Sequence, residues 1–374
     1  MRILSYEYTD LGRRGWHFSK ADFSLLNLLV GDTASGKTRY LNTIFNISSS
    51  IFGSRKLSGP NKVLLTFSHN GDNYEWYCRT DIDNEKKIFV LEESLVKIAD
   101  GREIIYNRNP NEFTYNNIKL PKLSLNQFGI SLLKDEKKIK PIHEAFGQIL
   151  RRNFFSDALQ DVIPVVIPTN INLDKRIRSL NELYKLTLPT NLKLFILKRD
   201  FPIIFSEILD CFTSVFSFIG AVDMKELREL LPSPNLPGLT PVLAIREKGM
   251  RNWISVDQLS SGMQKVLLII TDTLSLPDGS IYLIDEYENS LGVSAINFFP
   301  EFILNRTNNI QFIVTSHHPY LINQIHPDHW LIFSRKGSEV SIRFGQENAK
   351  IYGKSKQQWF IQLINDPFYA ANDL

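Results

Sequence analysis

Cysteine is nearly missing from this chain: Cys78 and Cys211 are its only two, far apart in sequence. Two distant thiols cannot build a disulfide framework, and they fit a reducing compartment. A dominant charge is missing too. The 43 basic residues nearly balance the 40 acidic ones, and a net charge of +3 neither demands nor excludes nucleic acid. No long apolar run is free of charge. The most apolar stretch, 194–222, is interrupted by Lys198, Arg199, Asp200, Glu207 and Asp210, which argues against a membrane-spanning helix. The opening residues, MRILSYEYTD, carry acidic side chains and no apolar core, so no signal peptide is expected. Neither internal repeats nor low-complexity tracts are visible. A cytoplasmic protein with no membrane partner is the resulting expectation. What is present is bulk: 374 residues, 43% of them hydrophobic, enough for one large domain with insertions or for two lobes.

The first chemical signal is a loop. Phe23 to Val30 reads FSLLNLLV, a short β-like apolar run, and leads into Gly31-Asp32-Thr33-Ala34-Ser35-Gly36-Lys37-Thr38. This is GxxxxGK[ST], the phosphate-binding P-loop pattern. The glycines let backbone amides wrap phosphate oxygens with no Cβ in the way. Lys37 is placed to reach the β- and γ-phosphates, and the Thr38 hydroxyl to sit on Mg²⁺. A helix beginning near Arg39 would aim its N-terminus at the phosphates. ATP with Mg²⁺ is therefore the expected cofactor, held by Gly31, Asp32, Ala34, Ser35, Gly36, Lys37, Thr38 and Arg39.

A second signal is acidic. Ser280 to Asn289 reads SIYLIDEYEN. The apolar run predicts a strand buried on both faces, ending in Asp285-Glu286 at the edge where open α/β sheets bind ligands. Asp285 is expected in the Mg²⁺ shell, and Glu286 is placed to polarise an attacking water as general base. The run IQFIVTS repeats the design and ends at His317, placed to reach the γ-phosphate. A third signal is QLSSGMQKVLLII, residues 258–270, where Ser260 or Ser261 would cap a helix that buries Val266 to Ile270.

Taken in order, these pieces resemble the ABC-type ATPase heads of the SMC, RecF and OLD group. Leu259-Ser260-Ser261-Gly262-Met263 is close to the LSGGQ signature, though Ser261 stands for its first glycine and Met263 for its glutamine. The resemblance implies a Q-loop glutamine, Gln127 in LSLNQFG, which would touch both ATP and the metal. It also implies a Walker B strand in IYLIDE, a D-loop in Tyr287-Glu288-Asn289-Ser290-Leu291-Gly292, and a switch histidine, His317, in TSHHP. The DExExxL form is similar to the AAA_21 and AAA_15 types, which include ATPases of bacterial anti-phage systems such as PtuA and AriA. The expected fold is α/β: an ABC-type P-loop NTPase head with a β-rich N-terminal lobe and an inserted helical lobe. What this implies is a hydrolytic switch that dimerises around ATP, with Ser260, Ser261 and Gly262 facing nucleotide held by a second subunit. A separate effector, a nuclease or toxin, would be its partner. Two readings of other classes stay open: a RecF-like repair ATPase binding DNA directly, and the nucleotide-binding subunit of a transporter.

Four stretches organise the chain. Residues 1–139 read as the P-loop and antiparallel β lobe, with hairpins over Ile3 to Phe18 and Val63 to Arg79. Residues 140–240 read as a helical lobe broken by Pro164, Pro168, Pro189 and Pro202, closing in the connector LPSPNLPGLTP. Residues 241–345 carry signature, Walker B and switch histidine, and 346–374 a tail whose Trp359, Phe360, Leu363 and Ile364 have helical core spacing. Basic spots, among them Arg151-Arg152 and Lys175, Arg176 and Arg178, are candidate DNA or RNA backbone contacts or plain solvated faces.

Overall fold

The computed structural model describes residues 1–98, 101–153, 164, 166–167, 175–231, 239–289, 291–307, 309–348, 352 and 355–370. Pro168, Ser290, most of the connector (232–238) and parts of the tail lie outside the described residues. Two compact units result. One comprises Met1–Arg151, Gly279–Tyr287 and Thr307–Leu374; the other comprises Arg152–Asp278 and Glu288–Arg306. The units interleave along the chain and so cut across the four consecutive stretches drawn above.

The first unit is built on a mixed sheet that has 14 strands among the described residues. At its heart Ile281–Asp285, Gln311–Thr315, Leu26–Gly31 and Trp330–Lys336 run parallel, each beside the next. Every residue of the first three is buried, as an apolar strand covered on both faces requires. Ile149–Asn153 lies at the sheet's edge beside Ile281–Asp285. Beyond Trp330–Lys336 the sheet passes through Glu339–Phe344 and His17–Asp22 into an antiparallel run that starts with Arg2–Asp10, Asn61–His69, Asp72–Ile82 and Ile88–Ile98. Both expected hairpins form, with Tyr8 opposite Phe18 and Phe67 opposite Tyr74. Alternation explains their place: Val63, Leu65 and Phe67 are buried, while the residues between them are more exposed.

Helix Lys37–Phe52 follows the P-loop directly and sends Tyr40, Leu41, Ile44, Ile47 and Ile51 into the same core cluster as these strands. Within the β-rich part sits one buried carboxylate. Glu93 accepts from Trp76 Nε1 at 2.9 Å, the Tyr106 hydroxyl at 2.7 Å and the Gly129 amide at 2.6 Å, with Arg108 at 3.8 Å. Burial drives its pKa up, and those donors and the arginine pull the other way.

The second unit combines helices Leu180–Lys185, Thr190–Asp200, Pro202–Val215, Ser261–Ser275 and Val293–Leu304 with an antiparallel sheet of Ile219–Glu226, Pro241–Glu247 and Ile254–Ser255. Among the described residues of 140–240, expected to be helical, two strands accompany the helices. Ile149–Asn153 belongs to the large sheet, and Ile219–Glu226 pairs with Pro241–Glu247. Both are short stretches mixing apolar and charged residues, so helical and strand periodicity are not separable there. Pro202 marks a break between helices, as expected: Thr190–Asp200 ends before it and Pro202–Val215 starts at it, where a first-turn proline gives up no needed amide. None of the described helices is long and apolar enough to cross a membrane.

Candidate active site

All the parts gathered in this site lie in the first unit, at the C-terminal ends of its parallel strands. Leu26–Gly31 delivers the loop, and helix Lys37–Phe52 leaves it. Gly31 has no room for a side chain: a Cβ there would meet the Phe333 carbonyl oxygen and Ser35 Oγ, each at 2.8 Å. Gly36 holds φ +101°, where L side chains are disfavoured, and a Cβ would press on Trp16 and Phe18 at 3.2 Å. Ala34 also takes a left-handed φ of 64°. The loop thus curls so tightly that Lys37, buried, donates to the Gly31 and Asp32 carbonyls at 2.8 and 2.9 Å and to Ser35 Oγ at 3.1 Å. The ammonium sits inside the ring that phosphate oxygens would fill. Asp32 Oδ1 accepts from the Thr33 amide at 2.7 Å, so its carboxylate shapes the loop.

The neighbouring strand end brings the acids. Asp285 is buried, and its Oδ1 accepts from the Thr38 hydroxyl at 3.0 Å and from Thr315 Oγ1 at 2.8 Å. Thr315 Oγ1 also accepts from the Glu286 amide at 2.8 Å, and the Thr315 carbonyl takes the Tyr287 amide at 3.1 Å. One threonine therefore clamps the turn after the strand. Glu286 is exposed there with a left-handed φ of 49°, an uncommon state for a glutamate, found where surrounding structure dictates it. His317 is exposed two residues past Gln311–Thr315, the strand between the loop strand and the Asp285 strand.

Gln127 is not brought to this place. It is exposed and lines, with Ser50, Gly53 and Ser131, a cavity of about 560 Å³ at the C-terminal end of helix Lys37–Phe52. That helix has 16 residues, or ~24 Å of rise. Gln127 is thus about a helix length from Lys37 and Thr38 and does not share a ligand with them. The expectation that it touches ATP and metal is corrected. The strand that flanks Ile281–Asp285 is Ile149–Asn153, and it supplies Arg151, whose guanidinium stands 3.6 Å from Asp285 Oδ2.

Sequence reasoning also missed an aromatic and cationic platform beside the loop. Trp16, in the first hairpin, stacks on Phe18. The guanidinium carbons of Arg39 and Arg335 lie 4.5 and 4.3 Å from its ring centroid. Arg335 also donates to the Ala34 carbonyl at 2.9 Å. Arg39 is therefore occupied with the indole. A half-buried tryptophan in a turn gave no periodic signal, and only its hairpin partners carry it to the loop.

The signature segment lies in the second unit. Ser260 is the N-cap of helix Ser261–Ser275 and accepts from the Met263 amide at 3.3 Å. Ser260 and Ser261 are exposed and Gly262 partly so, while Val266 to Ile270 are buried, as the capped-helix reading expects. The Gln264 side chain braces the preceding turn by donating to the carbonyls of Val256, Asp257 and Leu259. Buried Lys265 donates to the Asn289 carbonyl at 2.6 Å, tying the D-loop segment to this helix. Deeper along it, buried Asp272 pairs with Arg152 at 2.7 and 3.1 Å and with Lys193 at 3.0 Å. Burial opposes its ionisation, but the two cations outweigh that and hold its carboxyl well below the usual range. Arg151 and Arg152 thus face buried carboxylates, and the reading of this pair as a nucleic-acid contact patch is corrected.

Thr38 and Asp285 are hard oxygen donors in hydrogen-bond contact. That fits Mg²⁺, which takes one or two protein oxygens and completes its shell with phosphate and water. No group of three or more His, Cys, Asp or Glu gathers among the described residues, and a magnesium site of this kind does not need one.

Fold and site define an α/β P-loop NTPase head. A family model described as "AAA domain, putative AbiEii toxin, Type IV TA system" matches residues 26–323, and the chain belongs to that family. No curated protein matches it. Among solved structures it is similar to an Smc head bound to the C-winged helix domain of ScpA, with TM-score 0.54 and 13% identity over 92% of this chain and 97% of that one. The SMC head domain from Thermotoga maritima matches at TM-score 0.46 and 13% identity, over 92% of this chain and 98% of that one. An Smc head with an extended coiled coil, bound to the C-terminal domain of ScpA derived from Pyrococcus furiosus, matches at 0.48 and 12%, over 94% and 98%. Likeness at such identities concerns the fold alone.

Proposed function

We propose that this protein binds ATP with Mg²⁺ and hydrolyses it as a switch: two copies close around nucleotide, act on a separate effector, and part after hydrolysis. The observation that carries the reading is the meeting of the P-loop, Asp285 and Glu286 at one sheet edge, with Thr38 bonded to Asp285 and Glu286 fixed by Thr315. In this reading the loop amides from Gly31 to Gly36 and Lys37 bind the phosphates. Thr38 and Asp285 hold the metal, which when bound screens phosphate charge. Glu286 orients and deprotonates water, and His317 approaches the terminal phosphate. Trp16 with Arg39 and Arg335 offers a flat, cationic surface for the base. Ser260, Ser261 and Gly262, on an exposed helix start, serve nucleotide on the second copy.

The effector is taken to be a nuclease or toxin acting in bacterial defence against phage, with DNA or RNA as a further partner and the cytoplasm as location. Support for that part is the family resemblance and the Smc head's association with another protein's domain. A RecF-like repair role is the alternative, but Arg151 and Arg152, its named contacts, are committed to Asp285 and Asp272. The test is Glu286→Gln: ATP should stay bound and a dimer should accumulate in light scattering. A monomer under saturating ATP refutes the sandwich. Lys37→Ala should abolish ATP binding, and Ser260→Arg should spare binding while stopping turnover.

A further inference from the structure

Two adjacent arginines leave Ile149–Asn153 for different carboxylates, and they are held differently. Arg152 grips Asp272 through two hydrogen bonds of 2.7 and 3.1 Å. Arg151 faces Asp285 Oδ2 at 3.6 Å, beyond hydrogen-bonding reach but well within Coulomb range. Both members of the second pair are shielded, the side chains being 15% and 3% exposed. Asp285 has committed Oδ1 to Thr38 and Thr315. Oδ2 is the oxygen that faces Arg151. The Lys37 ammonium hydrogen-bonds the Gly31 and Asp32 carbonyls and Ser35 Oγ inside the loop. A shielded carboxylate without a counter-charge is costly. Arg151 supplies that charge without locking the oxygen it neutralises.

We propose that Arg151 is the stand-in cation of the metal site: it compensates Asp285 when no divalent ion is there, and metal loading proceeds by displacing it. The idea rests on the reading of Thr38 and Asp285 as the Mg²⁺ ligands. It makes Arg151 a positioning residue that acts through Asp285, and it separates metal-free from metal-bound nucleotide affinity. With Arg151 present, Asp285 repels ATP less in the absence of metal, and Mg²⁺ must compete for Asp285. Removing the guanidinium reverses both.

The experiment measures binding of a fluorescent ATP analogue in EDTA and across a Mg²⁺ titration, for the full chain and its variants. Arg151→Gln should weaken binding in EDTA and tighten the Mg²⁺ midpoint, each by about tenfold, the effect of one partly shielded charge. Arg151→Lys, which keeps the charge, should lie between, and it carries the test if the glutamine variant does not fold. Arg152→Gln should lower thermal stability and leave the ratio of the two affinities unchanged. Opposite shifts in Arg151→Gln support the proposal. Equal shifts in both affinities, or none, overturn it while nucleotide binding by the parent stands. If the parent binds no analogue, or Lys37→Ala binds as well as the parent, the site reading itself fails.

Discussion

Thr315 clamps the turn that carries Glu286, so Thr315→Val is an informative substitution at this site. Valine keeps the shape and removes Oγ1, which donates to Asp285 at 2.8 Å and accepts from the Glu286 amide at 2.8 Å, in a fully buried position. Two hydrogen bonds are lost, one buried and one part-buried. At about 1–2 kcal/mol for each, the total is roughly 2–4 kcal/mol. Glu286, held at φ 49°, is then free to leave that conformation. A carboxylate displaced by about 1 Å costs on the order of 100-fold in turnover. The assay pairs thermal unfolding with phosphate release at saturating ATP. Thr315→Ser keeps Oγ1 and should stay within a few-fold of the parent. If Thr315→Val matches the parent in both midpoint and turnover, the clamp has no role in placing Glu286.

Other expectations are equally direct. Asp272→Ala leaves Arg152 and Lys193 facing each other without their carboxylate and should cost about 3–5 kcal/mol in urea unfolding; a loss below about 1 kcal/mol refutes the triad's importance. Because Asp272 is held below the usual carboxyl range, its stabilisation is complete above its unfolded pKa of about 4 and fades as pH falls below that, so the parent should lose its advantage over Asp272→Ala in acid. Glu93 has the opposite sign. Burial raises its folded pKa, so the native state binds more protons than the unfolded chain from about pH 4.3 upward, and stability declines as pH rises through that window. Glu93→Gln should flatten this slope; an unchanged slope in matched unfolding curves removes Glu93 as its source. Trp16→Ala should weaken ATP binding about tenfold while sparing inorganic tripolyphosphate, since stacking on a base is worth about 1–3 kcal/mol; equal losses for both ligands would make the indole a support of the loop alone.

What could be read from the chain and what could not divides along contact range. The P-loop is eight consecutive residues whose chemistry is local, and its strand and helix follow in place. Asp285 and the Gln311–Thr315 strand were legible for a similar reason: a fully apolar run ending in polar residues marks a strand buried on both faces and its functional edge. Gln127 failed because no local feature says which strand lies beside Ile281–Asp285. A glutamine near an apolar segment fits the pattern, but membership of the site is decided by a pairing between residues more than a hundred positions apart. The same blindness turned Arg151-Arg152 into a surface patch. Side chains of two adjacent residues in a strand point to opposite faces, so two neighbouring charges should be assigned to two environments. Here one meets Asp272 on a buried helix and the other meets the carboxylate that Thr38 also holds. A charged pair within a short strand is thus evidence for two separate partners, and their spacing along the chain says nothing about a shared one.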